Sequence, residues 1–224
     1  MTRLFSGFAV LALMLGGHGQ ARAGMVFGRV YENVRFNQAL LANLPAGPAS
    51  AEFISSDINY RSELQGPTGY TVGGFLKNPN FFNTQPGFRP SDSLGAGTGN
   101  TYFYFTSQTF LNAGANSFVV GHDDGAQLEF FGLDGNPADR TLVFDQPNPT
   151  AFNTTPFTVM APRAGFYAFN LAFVESNGPP ADLVFQVNGN AVGTVPEPAS
   201  LTLMGMGLIA FSGYGLRHRR RAVA

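Results

Sequence analysis

The sequence contains no cysteine and no tryptophan. Without cysteine the chain can form no disulfide, and thiol catalysis and cysteine-ligated metal sites are excluded. The fold must therefore be held together by the burial of apolar side chains. The 23 phenylalanines and seven tyrosines supply the apolar area that such a core needs, because each aromatic side chain buries about 150–250 Å².

Histidine is also scarce. His122 is the only histidine away from the two ends of the chain, so a zinc site built from histidine alone is excluded for a single chain. A Ser-His-Asp triad would have to use His122, and no Gly-x-Ser-x-Gly elbow accompanies it. A hydrolase with a serine nucleophile is therefore not expected.

Basic residues are few in the central part of the chain. From Gly24 to Pro198 there are fourteen acidic and seven basic side chains, a formal charge of −7. Such a charge opposes binding to the phosphate backbone of a nucleic acid. Nucleic acid is therefore not expected as a partner, whereas an acidic exterior suits solubility and cations.

The N-terminal residues 1–23 have the pattern of a secretory signal peptide. Arg3 precedes an apolar run from Leu4 to Leu15, and the small residues Ala21 and Ala23 flank Arg22 as a cleavage site. We therefore expect an N-terminal signal helix, removal by signal peptidase, and export.

The C-terminal residues 195–224 have three features in order. A Val-Pro-Glu-Pro motif comes first, then eighteen uncharged residues from 199 to 216, and then a basic cluster. Eighteen apolar residues come close to the roughly 20 that span a bilayer, and arginines favour the cytoplasmic side. The pattern predicts a transmembrane helix over 199–216, and a buried C-terminal helix fits it poorly. The motif consists of Val195, Pro196, Glu197 and Pro198, and the cluster of Arg217, Arg219, Arg220 and Arg221.

This tail resembles the PEP-CTERM sorting signal of Gram-negative bacteria. The resemblance implies recognition by an exosortase, cleavage near Pro196 to Pro198, and transient anchoring in the inner membrane. Delivery to the cell surface or to an exopolysaccharide matrix would follow.

Residues 24–194 are predicted to form one all-β domain, an antiparallel, jelly-roll-like β-sandwich. Apolar and polar residues alternate in many short segments, and helical periodicity is rare. We expect a short helix at Asn37–Asn43 and a long loop with small strands over 66–100. The expected strands are 24–34, 51–60, 101–106, 118–122, 126–130, 140–145, 156–160, 165–175 and 182–187.

The stretch from Ser117 to Gly135 carries the main candidate site. The sequence Asp123-Asp124-Gly125 between two alternating segments predicts a β-hairpin turn, because glycine tolerates the positive φ that tight turns require. His122 is expected beside the turn on an edge strand. The turn does not require a second aspartate, so this extra carboxylate is the strongest candidate for a functional group in the sequence.

From Phe118 onward the sequence resembles the protective-antigen-type β-sandwich domain of bacterial toxins, glycosidases and fungal adhesins. In adhesins of that family two adjacent aspartates hold a calcium ion that contacts sugar hydroxyls, and Asp123 and Asp124 match them by position. The resemblance therefore implies a ligand site at His122, Asp123, Asp124 and Gly125. It is carried by 118–125, 128–130, 133–135, 165–175 and 181–185.

Two interpretations of the Asp-Asp turn remain open. Calcium takes about six to eight oxygen ligands, which Asp123 and Asp124 could begin to supply and Glu175 and Asn177 could extend. Alternatively, Asp123 only caps the turn and Asp124 only begins it.

A polysaccharide hydrolase would need two carboxylates facing each other across a cleft. Asp123 with Glu129, or Asp124 with Glu175, are the pairs to consider, although nothing in the sequence singles them out. Tyr102 and Tyr104 share a face of one strand and could stack on sugars if exposed.

The sequence therefore favours an exported surface or matrix protein that is not an enzyme and that binds exopolysaccharide, with possible help from calcium. A structural matrix protein without a ligand is the alternative, and a polysaccharide hydrolase is a minor one.

Overall fold

Alternation of apolar and polar side chains produces two antiparallel sheets that enclose an aromatic core. A computed structural model describes residues 25–95, 100–176 and 178–193. These ranges contain short 3-10 segments at Leu41–Asn43 and Ser62–Tyr70 and a helix at Val72–Phe75. Their strands are β1 (Val26–Val34), β2 (Ala51–Ser55), β3 (Asn59–Arg61), β4 (Asn80–Phe82), β5 (Asn100–Leu111), β6 (Gly114–Asp123), β7 (Gly125–Phe131), β8 (Arg140–Gln146), β9 (Asn153–Ala161), β10 (Gly165–Glu175), β11 (Asp182–Val187) and β12 (Asn190–Ala191).

Sheet A has seven strands in the order β4-β2-β1-β5-β10-β7-β8. Sheet B has the order β12-β11-β6-β9, with β3 also paired to β11. The prediction of an all-β antiparallel sandwich is confirmed. The predicted signal helix and transmembrane helix lie outside the described residues, and no helix within those residues is long and apolar enough to span a membrane.

The core is built mainly from phenylalanine. On β5, the rings of Phe103 and Phe105 point inward, and Phe105 stacks on Tyr60 of the opposite sheet with ring centroids 5.8 Å apart. On β10, Phe169 meets Phe185 edge to face at 5.2 Å. All members of the core clusters lie between residues 26 and 192, and residues 24–194 form one compact unit. A fragment from Gly24 to Thr194 therefore contains every core residue of the described part of the chain and is expected to fold by itself.

The segment predicted as one strand from Ala51 to Tyr60 is two strands in different sheets, so that prediction was wrong. Ala51 and Phe53 point into the core from β2, and Ile58 and Tyr60 point into it from the other side. Phe53 and Ile58 are five positions apart, so the alternation changes phase between them and a single strand could not bury both sets. The Ser55 hydroxyl donates to the Asp57 carbonyl at 2.8 Å and stabilises the bend.

The helix predicted at Asn37–Asn43 is reduced to the 3-10 turn at Leu41–Asn43. Its backbone donors have partners elsewhere, since the Leu41 N–H donates to Gln127 Oε1 at 2.7 Å and the Ala39 N–H to the Pro147 carbonyl at 2.9 Å. Residues 36–49, which we call the cover segment, pack on the outward face of sheet A over Tyr102.

The predicted long loop over 66–100 is more regular than expected. Val72–Phe75 is a helix with all four residues buried, and its Thr71 cap accepts a hydrogen bond from the Gly74 N–H at 3.1 Å. One small strand, β4, forms at Asn80–Phe82 as the edge of sheet A.

Replacing Phe105 with alanine should lower the free energy of unfolding by about 3–5 kcal/mol, because it leaves a cavity between the sheets. The matched control is Phe110→Ala on the same strand, where the ring is 49% exposed and a loss of about 1 kcal/mol or less is expected. Urea unfolding of both variants tests this. Equal losses would contradict the assignment of the core.

Glu32 should make stability depend on pH. Burial, and to a lesser extent the charge of Asp92, raises the pKa of Glu32 from 4.5 to about 7. Between pH 4.5 and about 7 the folded state holds a proton that the unfolded state releases. The contribution of Glu32 to the free energy of unfolding is therefore fully present below pH 4.5 and is lost as the pH rises to about 7. The effect is moderate because the side chain is only half-buried and solvent screens it.

In the Glu32→Gln variant, the decline in stability between pH 4.5 and about 7 should be absent. Urea unfolding midpoints of the variant and of the wild type, measured across this pH range, test this. Parallel curves would refute the assignment.

Candidate functional site

The Asp-Asp turn carries the chain from one sheet to the other. Strand β6 ends at Asp123 in sheet B, and β7 begins at Gly125 in sheet A. The two strands do not pair with each other, so the predicted hairpin was wrong. The predicted alternation of apolar and polar residues in β6 and β7 is present. The apolar sides of these two strands face each other across the core, however, instead of lying next to each other in one sheet. The peptide bond between the two aspartates is cis.

Gly125 is required for space. A Cβ built at this position would lie 2.1 Å from the carbonyl oxygen of Pro147. Its φ is not among the positive values in the described ranges, so the predicted reason for the glycine was wrong. Any side chain at residue 125 would push the turn away from the loop that follows β8.

Asp124 joins the turn to the residue after β10. Its side chain is buried, and its Oδ2 accepts hydrogen bonds from the Ser176 backbone N–H at 2.8 Å and from the Ser176 hydroxyl at 2.6 Å. Hydrogen bonds to a charged group are stronger than neutral ones, so these two bonds hold the residue after β10 firmly against the turn. No sequence pattern points to Ser176, which lies 52 positions from Asp124.

Asp123 is half-buried and has a third carboxylate beside it. Strand β11 places Asp182 directly opposite Asp123, and strand β3 places Arg61 directly opposite Asp182. Arg61 Nε lies 3.5 Å from Asp182 Oδ2, and the guanidinium stacks over Phe152 at 4.5 Å. Asp182 is buried, so this ion pair offsets a charge that would otherwise be costly there.

His122 supports the turn from inside the sandwich. Strand β6 lies between β11 and β9, so the prediction of an edge strand was wrong. The ring is fully buried, with Nδ1 in hydrogen-bond contact with the Asp124 carbonyl and Nε2 3.0 Å from Gln146 Oε1. It packs edge-on against Phe144 at 5.4 Å. These contacts make His122 a positioning residue for Asp124.

Glu175 and Asn177 were the further ligands considered. Glu175 is the last residue of β10 and is only 1% exposed. The backbone at Gly95 approaches it closely, since a Cβ there would lie 3.2 Å from the Glu175 carbonyl oxygen. Asn177 lies outside the described residues. Within the described ranges no three histidine, aspartate or glutamate side chains are arranged to hold a metal ion.

The residues considered for a hydrolase are not placed across an open cleft. Glu129 points outward on sheet A, four residues beyond Gly125, whereas Asp123 ends a strand of sheet B. Asp124 and Glu175 lie near each other in the fold, but both are buried. Of the two tyrosines, Tyr102 is fully buried and its hydroxyl donates to the Leu40 carbonyl at 3.0 Å, whereas Tyr104 is half-buried.

The predicted processing sites lie outside the described residues. These are Ala21 and Ala23 at the N-terminus, and Val195 to Pro198 and the arginines from 217 to 221 at the C-terminus.

Residues 194–221 match the PEP-CTERM protein-sorting motif. The match includes the Val-Pro-Glu-Pro sequence, the uncharged stretch and the arginine cluster, so the resemblance of the tail to this sorting signal is confirmed. It covers the last part of the chain and leaves the sandwich unassigned.

Solved structures that align with the chain include two PA14 domains, the family of protective-antigen type. One is from the antifreeze protein MpAFP, with a TM-score of 0.49 and 22% identity over 72% of this chain and 79% of that chain. The other is the sugar-binding domain of an RTX adhesin, with a TM-score of 0.45 and 21% identity over 77% and 93%. A β-glucosidase from Kluyveromyces marxianus in complex with glucose has a TM-score of 0.39 and 12% identity. The alignment covers 74% of this chain and 15% of the β-glucosidase. No curated protein matches the sequence.

Replacing Gly125 with alanine should lower the free energy of unfolding by about 1–3 kcal/mol, because the added methyl group meets backbone that must shift. The control is Gly165→Ala, where nothing lies within 4 Å of the added Cβ and a change within about 0.5 kcal/mol is expected. Thermal or urea unfolding of the two variants measures the difference. Wild-type stability for both would contradict the close approach to Pro147.

Proposed function

We propose that the protein is an exported surface or matrix protein that binds carbohydrate of an extracellular polysaccharide at the Asp-Asp turn. The observation that carries the proposal is the placement of two adjacent carboxylates, Asp123 and Asp124, where loops from both sheets meet. Asp182 adds a third carboxylate opposite Asp123. Such a concentration of negative charge is costly unless cations or donors compensate it.

Calcium is the cation that these oxygen ligands suit best. Asp123 and Asp124 would provide carboxylates, whereas the carboxylate of Asp182 is paired with Arg61. One oxygen of Asp124 is already engaged by Ser176. The remaining ligands, toward the about six to eight that calcium takes, would have to come from Asn177 and the backbone carbonyls of 176–181. A bound calcium ion would coordinate sugar hydroxyls, and Ser176 and His122 would hold Asp124 in place.

The sorting motif supports the proposed location. An exosortase would recognise the tail and cut near Pro196 to Pro198, after the segment 199–216 has held the chain in the inner membrane. The chain would then reach the surface or matrix of a Gram-negative cell, where polysaccharide is available.

One observation favours a purely structural alternative. The two bonds from Ser176 to Asp124 give this carboxylate an architectural role that needs no ligand. In that case the protein would contribute to an extracellular matrix as a rigid module. A catalytic role is the least favoured, since Asp124 and Glu175 are both buried and Glu129 belongs to another surface.

Calcium should raise the melting temperature of the Gly24–Thr194 fragment, because a ligand at 100 times its dissociation constant adds about 2.7 kcal/mol to the folded state. The Asp123→Asn/Asp124→Asn variant should lose this rise. Asparagine keeps an acceptor for the Ser176 donors, so the variant is expected to fold.

The control is Asp134→Asn/Asp139→Asn, which removes two charges from an exposed loop at the other end of the sandwich and should respond to calcium like the wild type. A response that survives in the turn variant, or no response in the wild type, would leave the turn as architecture. Retention on immobilised polysaccharides with calcium and with EDTA then tests sugar binding itself.

A further inference from the structure

The outward face of sheet A carries a group of exposed apolar side chains on β2, β1, β5 and β10. Phe110 and Phe166 lie opposite each other on β5 and β10, are each 49% exposed, and have ring centroids 5.5 Å apart. Met25, which precedes β1, is 67% exposed, and Ile54 on β2 is 42% exposed. At roughly 200 Å² for a large side chain, these four expose about 400 Å² of apolar surface.

The strand register brings these side chains together. Ile54 lies directly opposite Phe27 on β1. Met25 is two positions before Phe27 and so stands on the same side of the sheet. The Met25 carbonyl accepts a hydrogen bond from the Ser107 hydroxyl at 2.9 Å, which places Met25 beside β5. Phe110 is three positions beyond Ser107, and it is displaced toward the same end as Met25 because β1 and β5 are antiparallel. We call Met25, Phe27, Ile54, Phe110 and Phe166 the apolar patch. An apolar cluster of this kind indicates an interaction surface.

Charged side chains at the margin of the apolar patch are matched. Arg29 Nε lies 3.0 Å from Glu52 Oε1, and Lys77 Nζ lies 3.4 Å from Asp57 Oδ1. These two pairs add no net charge beside the patch. Arg163 is exposed in the loop that precedes β10 and Phe166. Its long side chain can keep its charge in water while its stem lies on apolar material.

The C-terminal tail begins near the apolar patch. Gly193 ends the described part of the chain, and a Cβ built there would lie 2.4 Å from the carbonyl oxygen of Ser56. Ser56 is two positions after Ile54. The uncharged segment 199–216 starts six residues after Gly193, and six residues span about 20 Å at most. A chain held in a membrane by that segment therefore keeps this side of the domain close to the bilayer.

The candidate site lies far from the apolar patch. Gly125 is opposite Val174 on β10, and Val174 is eight positions from Phe166. Eight positions of a strand correspond to about 27 Å. A membrane in contact with the patch would therefore leave the Asp-Asp turn accessible.

We propose that the apolar patch docks the domain on the surface of a zwitterionic phospholipid bilayer, the membrane that holds the tail. Met25, Phe110 and Phe166 enter the boundary between headgroups and acyl chains, where apolar faces sink about 5–10 Å. The charge of −7 between residues 24 and 198 opposes an anionic lipid surface. A stable dimer buries about 800 Å² on each partner, roughly twice the area of the patch, which favours lipid over a second copy of the chain.

This proposal rests on the anchoring by 199–216 in the proposed function, and not on calcium or sugar. The test exploits the lack of tryptophan. The Gly24–Thr194 fragment with Phe110→Trp is tethered by a C-terminal polyhistidine tag to phosphatidylcholine vesicles that contain a nickel-chelating lipid. Vesicles with brominated acyl chains should lower the tryptophan emission about twofold relative to vesicles without bromine, because the ring lies at the acyl boundary. Adding Met25→Ser/Phe166→Ser should abolish this quenching.

The matched control is Asn190→Trp, at an exposed position of sheet B three residues before Gly193. It is close to the tether but away from the apolar patch, so bromine should leave its emission unchanged. Circular dichroism and thermal melting establish that each variant is folded.

Absence of quenching in the Phe110→Trp protein would overturn the proposal, as would equal quenching in the Asn190→Trp control. Sedimentation that shows a dimer in the wild-type fragment and a monomer in Met25→Ser/Phe166→Ser would assign the patch to a second copy of the chain instead. The full chain, incorporated into the same vesicles, tests the anchor separately. Its release by alkaline carbonate would refute the proposed anchoring, whereas quenching of the tethered fragment would still support the docking surface.

Discussion

The carboxylate of Asp124 ties together parts of the fold that are far apart in sequence. It sits at the point where the chain leaves sheet B and enters sheet A, and it binds Ser176, the residue that follows β10 of sheet A. His122 contacts the carbonyl of the same residue from inside the core. Gly125 then allows the chain to pass against Pro147. Removing this carboxylate would leave buried donors without their acceptor, which costs more than the bond itself contributes.

The strands that could be predicted are those with an uninterrupted alternation. For β10 and β11 the predicted bounds, 165–175 and 182–187, agree with the structure because every second side chain is apolar and the ends are marked by glycine, proline or charge. Alternation did not show that the predicted hairpin at Asp123–Gly125 was wrong. An Asp-Gly sequence describes the local turn, but which strands pair is decided by the whole core. The same limit applies to Ala51–Tyr60, where a phase change in the alternation was the available sign of two strands.

The candidate site was predictable in part. Asp123 and Asp124 stand out because they are adjacent, but Asp182 and Arg61 join them only through the register of β3, β11 and β6. Ser176 is common in loops and carries no signal of its own. Sequence alone could name the residue types of the site, and the sheet order was needed to bring the third carboxylate and its arginine to it. The half-buried state of Tyr104 likewise depends on where the cover segment ends.

The lack of tryptophan has an optical consequence. Near-ultraviolet absorption and fluorescence of this protein come from tyrosine and, weakly, from phenylalanine. Among the six tyrosines of the described ranges, Tyr31, Tyr60, Tyr102 and Tyr167 are buried, whereas Tyr70 and Tyr104 are half-buried. Spectral changes in the buried set therefore report on the packing of the sandwich. In the Gly24–Thr194 fragment, which holds these six tyrosines and no others, a change in the native spectrum that leaves the buried set undisturbed can be traced to Tyr70 or Tyr104. These two rings therefore act as an intrinsic label for events at the surface of the domain.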